Sequence, residues 1–206
     1  LELFMRIDIV VFPGFDELDA LGPFEVLASA AKHGADFDVC LVSPSGASEV
    51  VAAHGLRIRA EANMRKEPRP DLIVVPGGGW VDRSGIGARS EAERGEIPAY
   101  LAELSPMGTT IAAVCTGAML VAAAGLLQGR PAITHHGAID DLRAAGAEIV
   151  RERVVDDGQV ITAGGVTSGL DLAFWIVERF AGASVADAVA DEMEYERRGI
   201  VWQRPS

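Results

Sequence analysis

Thr110-Ile111-Ala112-Ala113-Val114-Cys115-Thr116-Gly117 carries an extended apolar run into a cysteine, and Ala118-Met119-Leu120-Val121-Ala122-Ala123-Ala124 continues it with small, helix-compatible residues. The pattern predicts a strand that turns sharply into a helix, with Cys115 at the bend. A side chain at such a bend leaves the sheet and lies beside the free N–H groups and positive dipole end of the helix. That setting favours thiolate over thiol. Ala113 and Gly117, two residues either side of Cys115, are small enough for a strained elbow to close, as in the G-x-S-x-G turn. The competing reading of a lone cysteine is a buried structural thiol.

Outward from this bend, strands and helices alternate. Ile7 to Phe12 and Phe37 to Val42 read as buried strands, as does Asp71 to Val75. Asp16-Glu17-Leu18-Asp19 opens a helix that continues to His33-Gly34, with Gly22-Pro23 expected to kink or restart it. Val50 to His54 and Leu56 to Ala60 suggest a hairpin around Gly55, and residues 97–104 are helical. Ala132-Ile133-Thr134 is a short strand, followed by a helix over 138–145. A late hairpin is expected through Asp156-Asp157-Gly158. After Gly164-Gly165 a strong helix runs to Gly182, and Ser184 is expected to N-cap a last helix ending near Glu194. The alternation predicts an α/β three-layer sandwich around a mostly parallel sheet. Sites in such sheets form at the carboxyl ends of strands.

Composition narrows the possible partners. The 206 residues are about half apolar and fit one domain, expected over 5–200. Met5 is a candidate natural start, which leaves residues 1–4 as a leader. The formal net charge of −12 leaves no basic footprint for nucleic acid and disfavours an acidic membrane surface. No apolar run is long enough to span a bilayer, and no signal-type segment opens the chain. Cys40 and Cys115 form neither a disulfide framework nor a metal-type spacing, so no metal is expected, and free thiols suit a cytoplasmic location.

Three strand ends carry candidate chemistry. Cys115 is the candidate nucleophile. Gly77 and Gly78, after the middle strand, are candidates for an oxyanion pocket, because glycine lets backbone N–H groups approach a reacting centre closely. The plainer reading is a tight turn, and the spacing is not that of a dinucleotide fingerprint. Asp19, among apolar neighbours, is the candidate acid, since an apolar site raises a carboxyl pKa. Its alternative is an exposed first-turn acid. His135 or His136 could exchange a proton with Cys115, or be polar residues at a strand end. Glu25 is a possible second carboxylate or a solvated helix position, whereas His33, His54 and Cys40 attract no functional reading.

Together, Phe12-Pro13-Gly14-Phe15, Leu18-Asp19-x-x-Gly22-Pro23-x-Glu25-Val26, Val75-Pro76-Gly77-Gly78, Val114-Cys115-Thr116-Gly117, Ile133-Thr134-His135 and Thr162-Ala163-Gly164-Gly165 resemble the ThiJ/PfpI superfamily. The resemblance implies a class I glutamine-amidotransferase-like, flavodoxin-like central sheet with a nucleophile elbow. It also implies a homodimer and a small-molecule substrate, with no cofactor. Asp rather than Glu at position 19, within Asp-x-x-Gly-Pro, looks like the isocyanide hydratase branch. There Cys115 would be the nucleophile and Asp19 the acid/base, with the N–H of Thr116 and the glycine amides holding developing negative charge. Two alternatives follow from the same resemblance. One is a glyoxalase III/deglycase-like enzyme on α-oxoaldehydes, using His135 for proton transfer. The other is a non-catalytic ligand- or redox-sensing domain related to AraC-type regulators, for whose helix-turn-helix the chain is expected to leave no room after Ser206. His136 and the Trp80-Val81-Asp82 loop depart from the pattern, at positions expected to line the substrate site.

Overall fold

The computed structural model describes residues 4–46, 48–83 and 85–204, so positions 1–3 of the expected leader lie outside the described residues. In chain order the strands are β1 (Met5–Val10), β2 (Phe37–Ser43), β3 (Glu49–Val51), β4 (Arg57–Arg59), β5 (Ala62–Asn63), β6 (Leu72–Val75), β7 (Thr110–Val114), β8 (Pro131–Ala132), β9 (Glu148–Ile149), β10 (Val154–Asp156), β11 (Val160–Ala163) and β12 (Val201–Gln203). The helices are α1 (Glu17–Lys32), α2 (Ala88–Arg94), α3 (Glu96–Leu104), α4 (Gly117–Ala123), α5 (Ile139–Ala144), α6 (Ser168–Ala181) and α7 (Ala183–Glu192).

The main sheet has the order β12-β10-β11-β7-β6-β1-β2-β5. All its pairings are parallel except β10–β11, the hairpin predicted at Asp156-Asp157-Gly158. Helices α1, α6 and α7 pack together, and α2, α3, α4 and α5 form a second group, which gives the three layers. Strands covered on both faces lose the polar–apolar alternation of a half-exposed sheet. Accordingly, Leu72 to Val75 and Ile111 to Val114 are wholly buried. The registers Ile9↔Val74, Val75↔Ala113 and Ala163↔Val114 bring the carboxyl ends of β1, β6, β7 and β11 side by side.

Several local expectations change. Gly22-Pro23 does not restart the first helix, because α1 is continuous from Glu17 to Lys32. Pro23 removes only the N–H that would bond the Asp19 carbonyl four residues earlier. Gly22 lets the Leu170 side chain of α6 pack against α1, where a Cβ would lie 3.2 Å from it. Gly182, not Ser184, caps α7. The β3–β4 hairpin is shorter than predicted and stands outside the main sheet. The strand expected at 132–134 stops at Ala132, because the His135 side chain accepts the Gly137 N–H and starts a 3₁₀ turn. Elements β5, α2, β9 and β12 have no counterpart in the sequence reading.

Candidate active site

Cys115 lies at the bend between β7 and α4 with φ of 57°, in the left-handed region that non-glycine residues rarely adopt. The strain is held from several sides. The Cys115 N–H donates to the carbonyls of Ala163 and Gly164 at 3.1 and 3.0 Å. The Thr134 hydroxyl donates to the Cys115 carbonyl at 2.8 Å. A Cβ on Gly117 would run into the Val75 carbonyl, so the bend closes only with glycine there. A strained residue held in place by its surroundings points to a functional position.

Asp19 is fully buried in the first turn of α1. The loop before it is pinned by the small hairpin: Gly14 N–H donates to the Val51 carbonyl at 2.9 Å and Ala53 N–H to the Phe15 carbonyl at 2.8 Å. Asp16 caps the helix by accepting the Leu18 N–H at 3.2 Å. Asp19 Oδ2 accepts the Gly77 N–H at 2.9 Å. Asp19 Oδ1 is the buried side-chain oxygen left without a hydrogen-bond partner among the described residues. Burial, and then the charge of Asp16, push the Asp19 carboxyl up to about 8.

Cys115 is only 5% exposed. Burial pushes its thiol up, and the Asp19 carboxylate pushes it further, while the Thr116 N–H works the other way. The thiolate expected from the helix terminus alone therefore meets an opposing desolvation cost. Both shifts favour the neutral forms: Asp19 keeps its proton up to about 8, and the Cys115 thiol is held above its ordinary range. With that proton on Asp19, the carboxyl no longer repels a thiolate.

The glycines are required by close packing. A Cβ on Gly77 would press on the Thr116 hydroxyl and amide, and one on Gly78 (φ 115°) would meet the Gly14 carbonyl at 2.5 Å. Their amides already have partners: Gly77 N–H serves Asp19, and Gly78 N–H donates to Thr116 Oγ1 at 2.9 Å. Thr116, 3% exposed, thus ties the glycine loop to the elbow.

His135 shares a cavity of about 290 Å³ with Cys115, Thr116 and Gly78, but is not hydrogen-bonded to the thiol. Its Nδ1 accepts the Gly137 N–H at 3.1 Å, and its ring lies 4.1 Å from that of His136. Burial, then His136, lowers its pKa, so the imidazole is neutral at pH 7. His136 is exposed and faces a neighbouring cavity instead. Glu25 is exposed on α1, beside a groove shared with α7 and away from Cys115. Cys40 is half-buried in β2. Among the described residues no group of His, Cys, Asp and Glu is arranged to hold a metal ion, and no helix is long and apolar enough to cross a membrane.

Sequence reasoning missed Asp16 as a site residue. It lines the cavity, and its charge reaches Asp19, Cys115 and His135. The signal was available: Asp16 and Asp19 are three apart at a helix start, a spacing that puts two side chains on one face. Val166 also lines the cavity, together with the Trp80-Val81-Asp82 loop already noted as unusual.

Over 191 residues the chain is 34% identical to isonitrile hydratase of Pseudomonas putida, covering 93% of this chain and 78% of that protein. It is 27% identical to the HTH-type transcriptional regulator CdhR of Pseudomonas aeruginosa, over 89% of this chain and 53% of the regulator. The crystal structure of a ThiJ/PfpI family protein from Pseudomonas syringae superposes with a TM-score of 0.82 at 28% identity, covering 95% of this chain and 77% of that one. The DJ-1/PfpI family model matches residues 5–179, and with the strained Cys115 elbow set against a buried acid, the chain belongs to the DJ-1/PfpI family.

Proposed function

We propose that the protein is a cysteine-dependent hydratase that converts an isocyanide and water into an N-substituted formamide. The observation that carries the reading is the buried Cys115–Asp19 pair, in which one carboxyl oxygen is anchored by Gly77 and the other, without a hydrogen-bond partner among the described residues, lies beside the thiol. The 34% identity to isonitrile hydratase supports the same chemistry.

In this mechanism the Cys115 thiol first loses its proton to solvent; the thiolate attacks the terminal carbon of R–N≡C, and neutral Asp19 delivers its proton to that carbon, giving a thioimidate, R–N=CH–S–Cys115. Water adds across the C=N bond, its hydroxyl to carbon and its proton to nitrogen. Collapse expels the thiolate, and the hydroxyl proton returns to Asp19, leaving R–NH–CHO. The sum is one isocyanide and one water consumed per formamide. Developing charge at sulfur is met by the Thr116 N–H, and the Gly77 N–H holds the acid in place. Neutral His135 lies at the cavity wall, suited to ordering the incoming water. A cytoplasmic homodimer acting on a small molecule, without cofactor, belongs to the same proposal.

The test is turnover of a panel of alkyl isocyanides by the wild type and by Cys115→Ala. Formamide formation by the wild type and its complete loss in the variant are expected. Turnover that survives the substitution sinks the mechanism. Lactate from methylglyoxal in a cofactor-free assay, with no formamide, would instead assign the α-oxoaldehyde reaction. The similarity to CdhR favours a second reading, ligand sensing. Binding of a small molecule without turnover would support it.

A further inference from the structure

The loop that departs from the family pattern is built as a fixed wall of the reaction cavity. Trp80 and Val81 line the same space as Cys115. Trp80 Nε1 donates to Asp141 Oδ2 on α5 at 2.7 Å. Arg89 on α2 donates from Nε to the Trp80 carbonyl at 3.2 Å, and its guanidinium sits 4.4 Å from the indole ring centre. Arg89 also reaches Asp141 at 3.4 Å, closing a triangle across two helices. The backbone below is equally confined: Ala88 N–H donates to the Gly78 carbonyl at 2.7 Å, and a Cβ on Gly79 would strike the Ile86 carbonyl. Val81 is backed by Gly137, where a Cβ would lie 3.1 Å from the valine methyl. An indole held on its edge, on its face and through its own carbonyl is restrained at the cavity wall. The cavity, open to solvent on one side, has a volume of about 290 Å³, at the small end of the usual range of about 300–1,000 Å³ for ligand sites. Its free walls are apolar (Trp80, Val81, Val166), and its rim carries Asp16 and Asp82.

We propose that Trp80 is the specificity-determining residue of the site, locked by the positioning residues Arg89 and Asp141, and that the clamp selects substrates with a compact, uncharged, apolar substituent beside the electrophilic carbon. The identity of the electrophile rests on the hydratase reading; the size selection does not.

The test therefore has two arms. In the first, alkylation of Cys115 is followed by peptide mass spectrometry with N-ethylmaleimide and N-cyclohexylmaleimide, which also separates Cys115 from Cys40. In the second, kcat and KM are measured for isocyanides graded from methyl to adamantyl. Trp80→Ala is expected to raise the bulky-to-small rate ratio about tenfold in both arms, since a filled or emptied apolar pocket discriminates on that scale. For isocyanides the change should fall mainly in KM of the bulky members. Asp141→Ala should shift the ratio in the same direction. Asp141→Asn, which keeps an acceptor for the indole N–H, should recover most of the selectivity, a rescue that general loosening of the fold would not give. Melting curves check that each variant is folded, and Val81→Ala reads the same wall if Trp80→Ala is not. Ratios unchanged within about twofold in folded variants overturn the proposal. A maleimide ratio that shifts while no isocyanide is hydrated, even by the wild type, upholds the clamp and removes the hydratase reading.

Discussion

Asp19 has one oxygen anchored on the Gly77 amide and the other buried beside the Cys115 thiol. Such an oxygen is costly as part of an anion and is best satisfied by a proton. The consequence for stability has a definite sign. The folded-state pKa lies at about 8 against an ordinary value of 3.8, so the folded protein binds this proton more tightly than the unfolded chain does. The stabilisation is full below about 4 and is lost as pH rises through about 8. Asp19→Asn keeps an acceptor for Gly77 and cannot ionise. We expect the stability of the wild type relative to Asp19→Asn to fall by a few kcal/mol, on the order of 1.4 per pH unit of the window, between about pH 4 and 8. Urea denaturation of both proteins at several pH values across this window measures it. Parallel stability profiles would show that the carboxyl is not protonated by burial.

The carboxyl end of β10 is joined to α6 by a second buried carboxylate. Asp156, 6% exposed, accepts the indole N–H of Trp175 at 2.8 Å, the Arg179 guanidinium at 3.0 Å and the Gly158 N–H at 2.8 Å. Asp156→Ala leaves those donors without their acceptor. Breaking a buried pair costs about 3–5 kcal/mol, and partial exposure of Arg179 reduces this toward about 3. At about 2–4 °C per kcal/mol for a chain of this size, Tm should drop by about 6–12 °C, while Cys115 alkylation in the folded protein stays within about twofold. A Tm within about 2 °C of the wild type would mean that the hairpin does not depend on this network. The hairpin itself was legible, because Asp156-Asp157-Gly158 is a strong local turn signal, and so were β1, β6 and β7, as short runs rich in β-branched and apolar residues. Elements fixed by distant contacts were not. Strand β5 has two residues and is defined by pairing with Val42 and Ser43, and β12 is defined by pairing with Val154 to Asp156. The restart expected at Gly22-Pro23 did not occur, because the local breaker signal was overridden by packing of α1 on α6. At the site, the Cys115 bend was legible from its residue types at a strand end, and Asp19 from an acid among apolar neighbours in the first turn of α1. The occupied amides of Gly77 and Gly78 were not, since which partner an amide finds is a tertiary matter.

Charge acts on the molecule as a whole. With 30 acidic and 18 basic residues, the chain carries a field that repels anions, and Asp16 and Asp82 bring that field to the rim of the Cys115 cavity. Low-dielectric cleft walls focus such a field, which makes it a kinetic filter on what reaches the sulfur. Iodoacetate and iodoacetamide are nearly equal in size and attack the same thiol, and they differ in one negative charge. At low ionic strength the amide should alkylate Cys115 faster than the acid by more than the ratio found for a free cysteine, on the order of tenfold. As NaCl rises from about 0.01 to 0.5 M, the Debye length falls from about 30 Å to below about 8 Å, and the long-range part of the excess should shrink severalfold. What survives at high salt measures the short-range contribution of Asp16 and Asp82, which Asp16→Asn should lower further. A ratio insensitive to both salt and Asp16→Asn would place the discrimination in the apolar walls of the cavity and leave the net charge of the chain without influence on access to its thiol.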